Sequence, residues 1–166
     1  MKHTLAILVE NRPGVLTRVA GLFSRRGFNI ESLAVGVTEN ADTSRITIVV
    51  SGDDHVLEQV EKQLNKLIDV IRVSDIPPDE SVSRELALIK VGVDSTTRAE
   101  VMQIVDVFRA KIVDVGIKSL VIEVTGDESK INAMEQLLRH FGIKEMVRTG
   151  KIAMNRGAKI VQVEKK

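Results

Sequence analysis

Between an apolar strand pattern and an apolar helical stripe lie five residues, Glu10-Asn11-Arg12-Pro13-Gly14, with the composition of a ligand-holding turn. The first turn of a helix carries N–H groups that have no partner in the helix, together with the positive end of its dipole. Both seat a carboxylate. Gly14 would remove the side chain that holds a ligand at a distance. The same spacing equally describes an ordinary βα turn that uses Pro and Gly for geometry alone. Other chemistry is sparse. There is no cysteine, hence no disulfide, thiolate metal site or cysteine nucleophile. His3, His55 and His140 belong to different segments and form no metal-ligand spacing. No phosphate loop or nucleophile elbow is present. Asp53-Asp54, just before an apolar stripe, reads more simply as a helix cap than as a catalytic carboxylate pair. No catalytic residue and no metal site are therefore expected.

The elements that must position this turn follow from periodicity. Leu5 to Val9 forms an apolar strand, and Val15, Leu16, Val19, Ala20, Leu22 and Phe23 form a helical stripe ending at Arg25-Arg26-Gly27. Ile30 to Val37 and Arg45 to Val50 make a hairpin around Glu39-Asn40-Ala41-Asp42. A second helix carries Val56, Leu57, Val60, Leu64, Leu67 and Ile68, and Val70 to Val73 closes as a strand. The order is β-α-β-β-α-β. Pro77-Pro78 interrupts ladder and helix alike, so the expected division is 1–76, a linker at 77–83, and 84–166.

The order then recurs. Leu86 to Val91 is a strand, and Thr97 to Glu100 reads as a capping box opening a helix with Val101, Ile104, Val105 and Phe108. Ile112 to Val115 and Leu120 to Val124 form a hairpin around Gly116. Ile131, Met134, Leu137 and Leu138 stripe a helix, and Ile143 to Val147 closes the unit. The fold class expected is α+β, two ferredoxin-like βαββαβ domains in tandem. Each domain is small enough that pairing of sheet edges with another copy is expected.

Composition narrows the partners. The 166 residues carry 24 Lys+Arg against 23 Asp+Glu, too little net charge to coat a phosphate backbone. With only four aromatics, of which Phe23 and Phe108 sit on helical stripes, a base-stacking sheet is also missing, so nucleic acid is not an expected partner. The longest apolar run, Leu5 to Val9, is too short for a bilayer span or a signal core. A cytoplasmic protein with no membrane partner is expected. From Gly142 onward stand seven basic residues (Lys144, Arg148, Lys151, Arg156, Lys159, Lys165, Lys166) against two acids, suited either to an acidic partner or to a solvated tail.

Leu8-Val9-Glu10-Asn11-Arg12-Pro13-Gly14-Val15-Leu16-Thr17-Arg18-Val19 and Gly21-Leu22-Phe23-Ser24-Arg25-Arg26-Gly27-Phe28-Asn29-Ile30-Glu31-Ser32-Leu33 closely resemble the ACT domain of the small, regulatory subunit of acetohydroxyacid synthase (acetolactate synthase). Arg45 to Ile48, Glu58 to Val70 and Ser83 to Lys90 are similar to that family as well, and the likeness thins after Gly92. The resemblance implies a non-catalytic homodimer that activates a catalytic large subunit and confers feedback inhibition by valine in branched-chain amino-acid synthesis. Thiamine diphosphate, Mg²⁺ and FAD would belong to the large subunit and none to this chain. It also implies an effector site between two copies. On one side it would take Asn11, Gly14, Val15, Leu16 and Thr17, and on the other Asn29, Ile30 and Leu33. Two other readings stand beside it: an ACT-type sensor for a different biosynthetic enzyme or a transcription factor, and a self-sufficient enzyme on a ferredoxin-like scaffold.

Overall fold

β1 (Lys2–Glu10) is buried from His3 to Val9 on both faces, which places it inside a sheet and requires a cover on each side. The computed structural model describes residues 1–163. In the first unit β1 is joined by β2 (Ile30–Val37), β3 (Thr43–Ser51) and β4 (Val70–Asp75) in the order β2-β3-β1-β4. All pairs are antiparallel, with Glu10 opposite Thr43, Lys2 opposite Ser51 and Ile30 opposite Val50. Two helices, α1 (Val15–Arg26) and α2 (Asp54–Asn65), cover one face. There Leu5, Ile7, Ile46, Ile48 and Val50 meet Val19, Leu22, Phe23, Val60 and Leu64. Phe23 sets its ring edge-on to Phe28 at 6.3 Å. Gly27 ends α1 in the left-handed region, φ 69°, where its N–H reaches the Ser24 carbonyl. Arg25 and Arg26 stand at the negative end of the dipole.

The other face of that sheet is covered by the end of the chain. β9 (Ile152–Asn155) and the residues after it return to the first unit, where Ala153 and Val161 pack on Ala6 and Ile76. The Lys151 N–H donates to Ser32 Oγ at 2.8 Å, and Arg45 Nη2 donates to the Ala153 carbonyl at 2.6 Å. The Arg156 N–H donates to the Glu80 carbonyl at 2.7 Å. Chain contacts thus divide the molecule into Met1–Val82 with the segment from Lys151 onward, and Ser83–Gly150. Of the expected second domain, 84–166, the part from Lys151 onward groups by contacts with the first unit. The physical reason is the uncovered apolar face around Ala6 and Ile76, which the last segment buries. The expected linker at 77–83 is short: Pro78–Glu80 makes one 3₁₀ turn, and a strand begins at Ser81. Lys165 and Lys166 of the basic tail lie outside the described residues.

The second unit repeats the plan. β5 (Ser81–Gly92), α3 (Arg98–Val107), β6 (Lys111–Val115), β7 (Ser119–Gly126), α4 (Glu128–Arg139) and β8 (Ile143–Arg148) form a sheet ordered β6-β7-β5-β8, with both helices against one face. Ala87, Ile89, Val91, Leu120, Ile122 and Val124 meet Val101, Val105, Ile131, Met134 and Leu138. Arg148 pairs with the buried Glu85 and donates to Asn132 Oδ1 at 3.0 Å, so the buried carboxylate is compensated. The fold is the α+β arrangement of two ferredoxin-like βαββαβ units expected from the sequence order.

Phe23 is fully buried beneath α1 at the centre of the first core. Phe23→Ala is expected to remove about 3–5 kcal/mol of unfolding free energy in a urea titration. A loss below about 1 kcal/mol would contradict this packing.

Candidate functional site

The end of β1 and the start of α1 are joined by a turn whose shape depends on Gly14. Its φ of 85° lies in the left-handed region, and it holds the N-cap position with no side chain to offer the helix. The N–H of Val15 makes a long bond to the Arg12 carbonyl at 3.5 Å, and the N–H of Arg18 bonds to the Gly14 carbonyl. The N–H groups of Leu16 and Thr17 have no acceptor among the described residues. No acidic residue stands in the first turn. A Cβ on Gly14 would lie 3.3 Å from Arg18 Nη1, so a guanidinium hangs beside the open amides. Arg18 is fixed there by an ion pair with the buried Asp69. Two unmade donors and a helix dipole converge on one exposed spot, which favours an anion, beside an Arg18 guanidinium whose charge Asp69 already pairs.

Asn11 is anchored beside it. Its N–H donates to the Asp42 carbonyl at 2.9 Å and its Nδ2 to the Ala41 carbonyl at 2.9 Å, so the β2–β3 turn orients the amide and leaves Oδ1 to accept. That turn is itself held by Thr38 and Asn40, the latter accepting from the Asp42 N–H at 3.0 Å. Donors for a carboxylate and an acceptor for an ammonium are thus offered side by side.

The other described helices lack such an opening. Asp53 caps α2 through the Val56 N–H at 2.9 Å, and Asp127 caps α4 through the Lys130 N–H at 2.9 Å. Each of these backbone bonds holds its carboxyl below the usual range. At α3 the expected capping box is replaced. Thr97 makes no side-chain cap, and Asp94 instead accepts from the Thr96 hydroxyl and from the N–H groups of Thr96 and Thr97 at 2.8 and 2.9 Å. Those bonds, led by the Thr96 hydroxyl, bring its pKa down to about 2. The reason is position: Asp94 follows the strand directly and reaches the amides before Glu100 could. In the second unit, then, a carboxylate of the chain occupies the place that α1 leaves open.

The sequence-derived residues fall into two groups. Asn11, Gly14, Leu16 and Thr17 are exposed together at one end of the first unit, whereas the Val15 side chain is buried in the core and only its main chain faces the turn. Asn29 and Ile30 lie at the opposite end, because β2 starts where β1 starts, as the register of Ile30 with Val50 and Lys2 with Ser51 shows. Asn29 is exposed and Ile30 packs partly on the core. Leu33 stands with Val35 and Val37 on the helix-covered face of β2, exposed at the edge of the sheet. One protomer therefore does not bring the two groups together. Arg18 and Asp69 were missed by sequence reasoning; the one available signal was Arg18 lying one helical turn beyond Gly14.

The first unit is thus a ferredoxin-like βαββαβ module with an uncapped first helix and an open apolar edge strand. Residues 5–72 match the family model described as the small-subunit-like ACT domain of AHAS, and residues 84–157 match the model for the small subunit of acetolactate synthase. The chain is 57% identical over 155 residues to the acetolactate synthase small subunit of Mycolicibacterium smegmatis, covering 93% of this chain and 91% of that one. It is 62% identical over 159 residues to the probable acetolactate synthase small subunit of Archaeoglobus fulgidus, covering 96% and 99%. The crystal structure of the small subunit from Thermotoga maritima superposes with a TM-score of 0.90 at 46% identity, covering 96% of this chain and 99% of that one. The chain belongs to the acetolactate synthase small-subunit family.

Asp94 gives a direct check on the capping assignment. A carboxyl whose folded pKa is depressed contributes stability that is present above its unfolded pKa, near 3.8, and lost as pH falls through the folded value of about 2. The stability gap between the wild type and Asp94→Asn should be full above about pH 4 and close as pH falls toward 2. A gap that is constant from pH 5 to 2 would show that the Asp94 charge does not serve the helix.

Proposed function

We propose that this chain is the regulatory subunit of acetolactate synthase, activating the thiamine-diphosphate-dependent large subunit and conferring feedback inhibition by valine. The observation that carries the reading is the α1 N-terminus, the one described helix start left without a carboxylate of its own, beside Asn11 and Arg18. The effector's carboxylate would take the N–H groups of Leu16 and Thr17, with the Gly14 backbone letting it approach. Its ammonium would donate to Asn11 Oδ1 and to Asn29 of a second copy. Leu16, Ile30 and Leu33 would receive the isopropyl group.

Two-fold symmetry supplies what one protomer lacks. β2 is an edge strand, and antiparallel pairing of two β2 edges carries the start of one β2 to the far end of the other. Asn29 and Ile30 of one copy then approach Gly14 of its mate. The exposed Leu33, Val35 and Val37 of both edges are covered in the same step. A homodimer with two effector sites follows. The condensation chemistry, with thiamine diphosphate, Mg²⁺ and FAD, is assigned to the large subunit. Burial of the isopropyl group contributes on the order of 1.5–3 kcal/mol, and charged hydrogen bonds a similar amount each, before association costs are deducted.

Gly14→Asp tests the seat. An aspartate there would lie over the first-turn amides within reach of Arg18, filling the place as Asp94 does at α3, and its left-handed backbone would cost only about 1–2 kcal/mol. In the reconstituted holoenzyme the variant is expected to retain activation and to lose valine inhibition, with half-inhibition moved upward at least about tenfold. Undiminished valine sensitivity would overturn the assignment of this loop.

A further inference from the structure

Asp69 is a buried carboxylate to which the effector reading gives no part. It immediately precedes β4, beside the end of β1, and it holds the turn before α1 from both sides. Its backbone carbonyl accepts the Glu10 N–H at 2.9 Å, where the turn begins, and its carboxylate pairs with Arg18, which is already in α1. One residue of another element thereby spans the whole stretch from Glu10 to Arg18. An ion pair between two exposed side chains is held weakly, but here one member is buried, and a buried carboxylate that loses its cation is left uncompensated. The guanidinium is therefore fixed by its Nη2 edge.

The other edge faces the turn. Side chains on a helix lean toward its N-terminus, so Arg18 arches back over the first turn of α1. Its Nη1 lies 3.3 Å from the point where a Cβ on Gly14 would stand, and apart from Gly14's own chain neighbours no other described residue comes within 4 Å of that point. Nη1 has no acceptor among the described residues. Arg12, the other cation of the turn, stands 3.9 Å from Glu10 instead and is largely exposed.

We propose that Arg18 is a third donor to the effector's carboxylate, beside the N–H groups of Leu16 and Thr17, and that Asp69 is the positioning residue that aims it, an inference that rests on the effector reading proposed above. Because Asp69 already neutralises the guanidinium, the contribution is one of direction rather than of net charge. The N–H groups of Nη1 are presented in a fixed place, so little side-chain freedom is lost when a ligand arrives. A guanidinium carries donors and no acceptor. A seat made of two amides and a guanidinium accepts a group with two bare oxygens and disfavours a carboxamide, whose NH₂ would face donors. Arg18 and Asp69 thus set the preference for the acid group itself.

The test titrates the full chain with L-valine and with L-valinamide, which keeps the ammonium and the isopropyl group and replaces the carboxylate by a carboxamide. Arg18→Gln offers the seat an acceptor as well as donors. It should weaken valine binding about tenfold and narrow the preference for valine over valinamide by a similar factor. Arg18→Lys, whose ammonium can pair with Asp69 but has no second edge for the seat, should keep the fold and weaken valine nearly as far. Asp69→Asn keeps the carbonyl that holds Glu10 and removes only the charge, and should weaken valine several-fold. In the Arg18→Gln background it should change nothing further, because it acts through that side chain. Lys62→Gln, which breaks an exposed ion pair with Glu58 on α2, should leave both ligands unaffected. Wild-type valine affinity in Arg18→Gln and Arg18→Lys, or loss of valine and valinamide by the same factor, would overturn the proposal and leave the effector reading standing. An Asp69→Asn effect of equal size with and without Arg18 would remove Asp69 from the positioning role. A wild-type chain that does not bind valine would overturn the effector reading and this assignment together.

Discussion

Every helix begins with amide N–H groups that the helix itself cannot satisfy, and the way this chain treats them organises the rest of the molecule. At α2, α3 and α4 an aspartate supplies the acceptor. At α1 the N-cap is Gly14, whose left-handed backbone opens the turn and brings nothing to close it. The neighbouring residues then keep the opening accessible and rich in hydrogen-bond donors. Asn11 is tied to the β2–β3 turn rather than to the helix, and Arg18 is tied to Asp69 so that its guanidinium stays beside Gly14. An open helix start is cheap in water, which can satisfy the amides, and becomes valuable only when an anion replaces that water.

Topology turns this local feature into a question of symmetry. α1 runs back along the sheet, so the start of β2 lies a full strand length from the turn that begins α1. Residues contiguous in the sequence, from Asn11 to Leu33, are thereby split between the two ends of one unit. Antiparallel pairing of edge strands is the operation that reunites ends of this kind, and β2 is an edge with apolar side chains left uncovered.

Much of this was legible in the sequence. Period-two alternation and period-3.6 stripes are carried by large apolar residues such as Leu5, Ile48, Phe23 and Leu64, and those became the core. The turn was visible as Pro13-Gly14, but an effector role for it was suggested only by the likeness of a long stretch to a known family, since spacing alone also describes an ordinary turn. Two features stayed hidden. Asp94 displaced the capping box because loop geometry, which has no period, put its carboxylate closer to the amides than Glu100. The return of the last segment to the first sheet depends on small contacts, Ala153 against Ala6 and Ile76, and on hydrogen bonds between residues more than a hundred positions apart. A four-residue strand centred on alanine leaves almost no hydrophobic signature, and the need it answers, an apolar second face on β1, is written at the other end of the chain.

A ligand held half by one chain and half by its mate has a thermodynamic consequence that a one-chain site lacks. Its binding energy is realised only in the paired form, so occupancy and pairing must strengthen one another by the same factor. At the proposed seat the individual contacts would be modest: two amides, an asparagine oxygen and a few apolar side chains would not supply high affinity after association costs. Modest affinity suits a sensor, which must release its effector as concentration falls. In the proposed site the apolar part would discriminate by only about 1–3 kcal/mol per methylene, so selectivity for valine over its longer relatives would come from the depth available beside Leu16, Ile30 and Leu33 rather than from amides that would hold every amino acid alike. On the proposed reading the anion seat would fix the class of ligand, and the edge of β2 would fix which member of that class fits.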